Sequence, residues 1–179
     1  MNRKKYSIII ACLLVLIFTC QAVSAASSVD MSKKMDMTGN KLIKKYNLKY
    51  YTEEESFKLY TEDGDYGTNM VQIVTNHFNT KGAYLLTIFN AKWNVYGVKV
   101  GMKRSKVYKI ASAKFKNQKN KKHTRYKNGG YITADEFKCK AWRLTIHYNA
   151  SGKVEYIHYN TKKYDEAIND YWSSIPRRP

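Results

Sequence analysis

The chain has 179 residues, with 32 Lys or Arg against 14 Asp or Glu and a formal net charge of +18. Its cysteines are Cys12, Cys20 and Cys139, and the first two fall in a leader-like amino terminus. The single thiol that remains excludes a disulfide-stapled scaffold, so stability must come from a hydrophobic core, for which about 150 residues suffice.

Residues 1–26 read as a secretory signal peptide. Arg3, Lys4 and Lys5 form the charged start, Ser7 to Thr19 the apolar stretch, and Val23-Ser24-Ala25 the small residues a signal peptidase accepts. The apolar run is shorter than the roughly 20 residues of a spanning helix, so no stable membrane insertion is expected after cleavage. Phe18 and Thr19 precede Cys20 where lipid attachment wants small residues, so no lipid anchor is expected either. Cleavage takes three cations and no acids from the +18 total, leaving +15. The expected location is extracellular or associated with the cell envelope.

Residues 27–179 are expected to form one α+β domain, with short helices packed on antiparallel sheet and two tandem helix-plus-sheet units at about 38–96 and 97–160. Ser27 to Met37 is polar and reads as a loose start. Leu42, Ile43, Tyr46 and Tyr50 sit near helical spacing after Thr38-Gly39-Asn40. Thr52 with Glu55 has the spacing of a capping box, and Asp63-Gly64 and Tyr66-Gly67 are turn signals. Asn69 to Phe78 and Ala83 to Val100 are rich in β-branched and aromatic residues, joined through Thr80-Lys81-Gly82.

A second helix is predicted after Gly101, with Val107, Ile110, Ala111 and Phe115 inward. Lys116 to Gly130 lacks apolar periodicity and reads as an exposed loop. FKCKAW places Cys139 in a strand as a buried structural thiol. Asn149-Ala150-Ser151-Gly152 separates two β-prone runs, with the residues of a type I turn followed by a left-handed Gly. The tail from about 161 to 174 is predicted as a helix capped by Thr161 or Asp165, its apolar side formed by Tyr164, Ile168, Tyr171 and Trp172, and Pro176 stops it.

Charge is unevenly spread. Fifteen Lys or Arg lie between Lys99 and Arg143 against Asp135 and Glu136, whereas Glu53 to Asp65 holds six acids against Lys58. An A/T-rich genome favouring Lys, Asn, Tyr and Ile codons explains such a bias without selection, and a site for an anionic partner explains it with selection; both readings stand at this stage. The helix after Gly101 opens with Lys103, Arg104 and Lys106, although a helix start carries partial positive charge and favours acids. Those three, with Lys119, Lys121, Lys122 and Arg125, form the candidate anion- or partner-binding set. The cations either stand in water and are screened, or add charge to free helix N–H groups as an anion site.

No catalytic motif is present. His77, His123, His147 and His158 show no metal-binding spacing, no GxSxG or phosphate-binding loop occurs, and Asp63 and Asp65 lack the closing Glu of a calcium loop. No catalytic residue, metal or cofactor is therefore expected, and an enzyme is the less favoured class. Export argues against a nucleic-acid partner.

Tyr96-Gly97-Val98-Lys99-Val100-Gly101-Met102, Ser105-Lys106-Val107 entering a helix, and Ser151 to Ile157 closing a hairpin together resemble one unit of the β-lactamase-inhibitor-protein-like fold. That fold is shared with small outer-membrane assembly lipoproteins of the SmpA/OmlA type. The likeness runs from about Tyr96 to Asn160. It implies a glycine turn leading into a helix, antiparallel strands after it, and a habit of binding proteins without catalysis. The chain departs from the pattern at Lys103 and Lys106, where a capping box is usual, so Ser105 is expected to cap a shortened helix. The expected function is non-catalytic recognition of a protein partner through the sheet face or a basic patch. The alternatives are a secreted hydrolase with a dispersed site and a cationic module holding anionic cell-wall polymer.

Overall fold

In the computed structural model, the described residues are 28–34, 36–54, 57–74, 84–115 and 122–174. The predicted signal peptide, the connection at Thr80 to Gly82, and Pro176 lie outside them. Among the described residues, three α-helices, α1 (Gly39–Tyr46), α2 (Arg104–Phe115) and α3 (Lys162–Ser174), and a short 3-10 helix (Met31–Lys34) accompany ten strands. The first half of the chain supplies β1 (Val29–Asp30), β2 (Lys49–Glu54), β3 (Phe57–Thr61), β4 (Met70–Val74), β5 (Tyr84–Ile88) and β6 (Trp93–Asn94). The second supplies β7 (Lys122–Asn128), β8 (Tyr131–Lys138), β9 (Trp142–Tyr148) and β10 (Val154–Thr161).

Eight strands form one sheet in the order β2-β3-β4-β5-β10-β9-β8-β7, and every neighbouring pair is antiparallel. The fold is therefore α+β. A helix followed by four strands occurs twice, as α1 with β2 to β5 and α2 with β7 to β10, and the last strand of each set meets the other at the centre. There Ile157 stands opposite Ile88 and Tyr159 opposite Leu86.

One sheet face carries the main core. Leu42 from α1 and Val107, Ala111 and Phe115 from α2 pack against Leu86, Ile88, Leu144, Ile146 and Ile157. Ile110 lies at the margin of the same core. The other face receives α3, whose Tyr164, Ala167 and Ile168 cluster with Leu85 of β5. Alternation along β5 places Leu85 and Leu86 on opposite sides, which allows one strand to serve both layers.

Local signals explain several boundaries. Thr38 Oγ1 accepts the Lys41 N–H at the start of α1, and Asn47 ends that helix in the left-handed region at φ 50°. Thr161 Oγ1 accepts the Tyr164 N–H, making Thr161 the cap of α3. Asn149 N–H donates to Lys153 O and Gly152, at φ 69°, donates to Asn149 O, closing the β9–β10 turn as its residues predict.

Other expectations are corrected. Thr52 lies in strand β2 and caps no helix, because pairing with β3 overrides the local spacing. Lys122 to Asn128, expected as loop, is β7 on the sheet edge, where a strand needs little apolar periodicity because among the described residues it is paired on one side only. The expected loose start contains β1, which pairs in parallel with β6, and Met31 behind it is fully buried. Ser105 is the second residue of α2 and no cap, since Lys103 O accepts from Val107. Cys139 lies just beyond β8 in the turn to β9, half-buried, with its N–H donated to Trp142 O.

The docking of α3 is open to a direct measurement. Burying one large apolar side chain contributes about 1.5–3 kcal/mol, and Ile168 is only partly buried, so Ile168→Asp should lower unfolding free energy towards the lower end of that range. Lys162→Ala removes only an exposed i,i+4 pair with Glu166, of about 0.3–0.5 kcal/mol. Equal losses in urea denaturation would mean that the helix does not hold to the sheet through Ile168.

Candidate functional site

The sheet face opposite the main core is only partly covered by α3. Cross-strand registers fix which side chains share that face. Met70, Thr87, His158, Thr145 and Glu136 lie in one row across five strands. Tyr156, His147 and Ala134 lie in a second row, with Phe89 just past the end of β5 against Tyr156. Between these rows and β3 runs an open trough of about 460 Å³, to which Phe57, Leu59, Tyr66, Gln72, Phe89 and Tyr156 contribute, with Glu54 at its margin.

An aromatic chain follows the trough. Tyr66 and Phe89 ring centroids are 6.3 Å apart, and Phe89 and Tyr156 5.8 Å. His147 stacks on Tyr156 at 4.1 Å and 14°, with His158 5.2 Å from His147. Tyr66 is 71% exposed at the rim, with its ring against Phe89 and Tyr51. Phe89 is positioned by a buried amide: Asn69 Oδ1 accepts the Phe89 N–H at 2.8 Å and the Asn90 N–H at 3.1 Å, while Asn69 Nδ2 donates to Asn90 Oδ1.

Both histidines are neutral at neutral pH. Burial lowers the His147 pKa, opposed by Glu155, and lowers His158 to about 4, helped by His147 and Arg143. Two imidazoles on one face raise the question of a metal, but no group of three or more His, Cys, Asp or Glu among the described residues is placed to hold one.

The predicted basic set is divided. Arg104 and Arg125 converge on Asp135, a fully buried carboxylate on the core face of β8. Arg104 Nε and Nη2 donate to it at 3.2 and 3.4 Å, Tyr148 Oη donates at 2.9 Å, His123 Nε2 lies at 3.3 Å and Arg125 Nε at 3.8 Å. Burial and the neighbouring Asp135 raise the Tyr148 phenol pKa strongly, which keeps that proton in place. Arg125 also lies over the Tyr108 ring at 5.3 Å.

Lys103 and Lys106 are exposed at the start of α2, and Lys122 is exposed at the start of β7. Lys119 and Lys121 lie outside the described residues. At the helix start the Arg104 N–H donates to Gly152 O and the Lys106 N–H to Lys103 O, so part of the donor set a free anion would need is already engaged. A smaller hollow of about 260 Å³ beside Cys139 gathers Lys138, Lys140, Arg143 and Lys162, with Asp165 bonded to Arg143 at 2.6 Å.

Sequence reasoning missed the trough, because its walls come from strands far apart in the chain. The only local signal was the β-aromatic richness of the two runs that became β5 and β10. No helix among the described residues is long and apolar enough to cross a membrane. No protein-family model, curated protein or solved structure matches this chain.

Two outcomes follow from these groups. Asp135→Ala leaves Arg104 and Arg125 without their common partner and a polar site unfilled. Breaking such a buried pair costs about 3–5 kcal/mol, so the urea midpoint should fall steeply; a loss under about 1 kcal/mol would mean that water already screens the cluster. For His158 the folded pKa of about 4 lies below the usual value near 6.5. Between those values the unfolded chain binds the proton and the folded chain does not, so stability should decline as pH falls through that window. His158→Gln should flatten the decline, and a His158 imidazole that titrates near 6.5 by NMR would contradict it.

Proposed function

We propose that the chain is a secreted or envelope-associated, non-catalytic binding protein of the β-lactamase-inhibitor-protein-like class, which grips a protein partner by its open sheet face. The observation that carries this reading is the aromatic trough between β3 and β10, lined by Tyr66, Phe89 and Tyr156 with no described residue of α3 in its walls. Interface energy concentrates in a few aromatic anchors that water is excluded from, and this trough can receive an aromatic or aliphatic side chain from a partner. Gln72, Thr87 and His158 add polar groups along it that can fix orientation. The expected partner is a folded protein with a protruding apolar side chain. No nucleic acid, membrane insertion or cofactor belongs to this reading.

A second reading draws on the exposed Lys103, Lys106 and Lys122: the chain holds an anionic envelope polymer through its basic side. Salt separates the two, because exposed charges lose most of their reach as the Debye length falls from about 10 Å at 0.1 M to 3 Å at 1 M.

Immobilised protein should capture a partner from the producing organism's culture fluid or envelope at both salt concentrations. The double variant Phe89→Ser, Tyr156→Ser should weaken capture by about 30-fold or more, the loss of a hot spot worth about 2 kcal/mol. Capture of a polymer that vanishes in 1 M salt and ignores the double variant would replace the protein-binding reading with the second one.

A further inference from the structure

The two ends of the eight-stranded sheet carry opposite charge. Strand β2 pairs only with β3 among the described residues, and β7 only with β8, so each presents an outer row of backbone N–H and C=O groups. On the β2 edge Glu53 and Glu54 stand at one end, Glu54 exposed and Glu53 paired to Lys58 of the adjacent strand at 3.2 Å. At the other end Lys49 packs beside Gly64, in the turn that carries exposed Asp63 and Asp65. On the β7 edge Lys122 and Lys127 are exposed and no acid lies in the strand. Both edges also show uncovered tyrosines, Tyr50 at 56% and Tyr51 at 40% on β2, and Tyr126 at 45% on β7.

From this we propose that the protein associates with further copies of itself, edge to edge, by antiparallel pairing of β7 of one copy with β2 of the next. Direction permits it. Seven successive antiparallel pairings leave the first and last strands antiparallel to each other, so a copy displaced along the sheet continues it without reversing any strand. In that arrangement Lys122 comes to the Glu53–Glu54 end of β2, and Lys127 to the end where Asp63 and Asp65 outnumber Lys49. The contact is head to tail, so it extends into chains unless the accumulated twist closes it.

Charges on edge strands are the usual guard against such pairing. That guard works against copies of the same chain when both edges carry one sign. Here β7 with β7 sets cations against cations, and β2 with β2 sets two net acidic ends against each other, eased by Lys49 against Glu54, whereas β7 with β2 sets ends of opposite net charge together. The net positive charge of the whole molecule opposes association at long range. At about 0.15 M salt it is screened beyond about 8 Å, while paired strands sit about 4.8 Å apart.

Sedimentation velocity on the purified protein tests the proposal. At about 0.15 M salt the sedimentation coefficient should rise with concentration beyond that of the monomer, and the rise should shrink in 1 M salt. An acidic-edge variant (Glu53→Lys, Asp63→Lys, Asp65→Lys) and a basic-edge variant (Lys122→Glu, Lys127→Glu) each acquire two edges of one sign. Each should self-associate at least about tenfold more weakly, since several cross-strand pairs change from opposite to like charge, while circular dichroism shows the native fold. Mixed together, the two variants should associate again. The proposal is overturned if the unsubstituted protein stays monomeric to millimolar concentration, if the single-edge variants assemble as it does, or if the mixture does not recover association. Should a variant not fold, the concentration and salt dependence of the unsubstituted protein decides the matter alone.

Discussion

Four residue pairs between β5 and β10 hold the two halves of this molecule in one sheet. Ile88 with Ile157 and Leu86 with Tyr159 close the main core across the junction, while Thr87 with His158 and Leu85 with Asn160 point the other way. A slip of one residue would exchange the two sets, burying polar groups in the core and placing Ile88 and Leu86 on the open side. The same register makes the seat for α3 at Leu85 and the floor of the aromatic trough at Thr87 and His158. Core, helix seat and candidate site are thus consequences of one strand pairing, and neither half builds any of them alone.

Within the second half, Asp135 resolves a conflict visible in the sequence. Three cations at the start of α2 oppose the partial charge of the helix end, and the first turn contains no acid. The acid arrives from β8, 31 residues further on, and binds the Arg104 guanidinium through two nitrogens. Its position in a core row, opposite Ile146 and Arg125, requires every donor it has, because a buried carboxylate short of partners is destabilising by several kcal/mol. Arg104 is therefore a structural cation, while Lys103 and Lys106 remain exposed.

Legibility followed the range of the interaction. The β9–β10 turn and the α3 cap at Thr161 rest on contacts a few residues apart, and the inward face of α2 shows in the helical spacing of Val107, Ala111 and Phe115, so the sequence displays them. Strand β2 was disguised because Thr52 and Glu55 carry helix-start spacing, and only β3 on its flank makes it a strand. Strand β7 was disguised because an edge strand of Lys, His, Arg and Tyr needs no apolar alternation. Of the candidate cations, Arg104 and Arg125 turned inward to an acid whose burial no local pattern announces. The trough was illegible for the strongest reason: it exists only once β10 lies beside β5, and strand order is a property of the whole chain.

The binding account stands or falls with the sheet face. Two-dimensional NMR of the labelled protein, recorded with and without the captured partner, locates the contact without any substitution. The account predicts that the largest amide and aromatic shift changes fall on Tyr66, Phe89, Tyr156 and His158, with Lys103 and Lys106 little affected. Changes confined to Lys103, Lys106 and Lys122, with the sheet face silent, would contradict it.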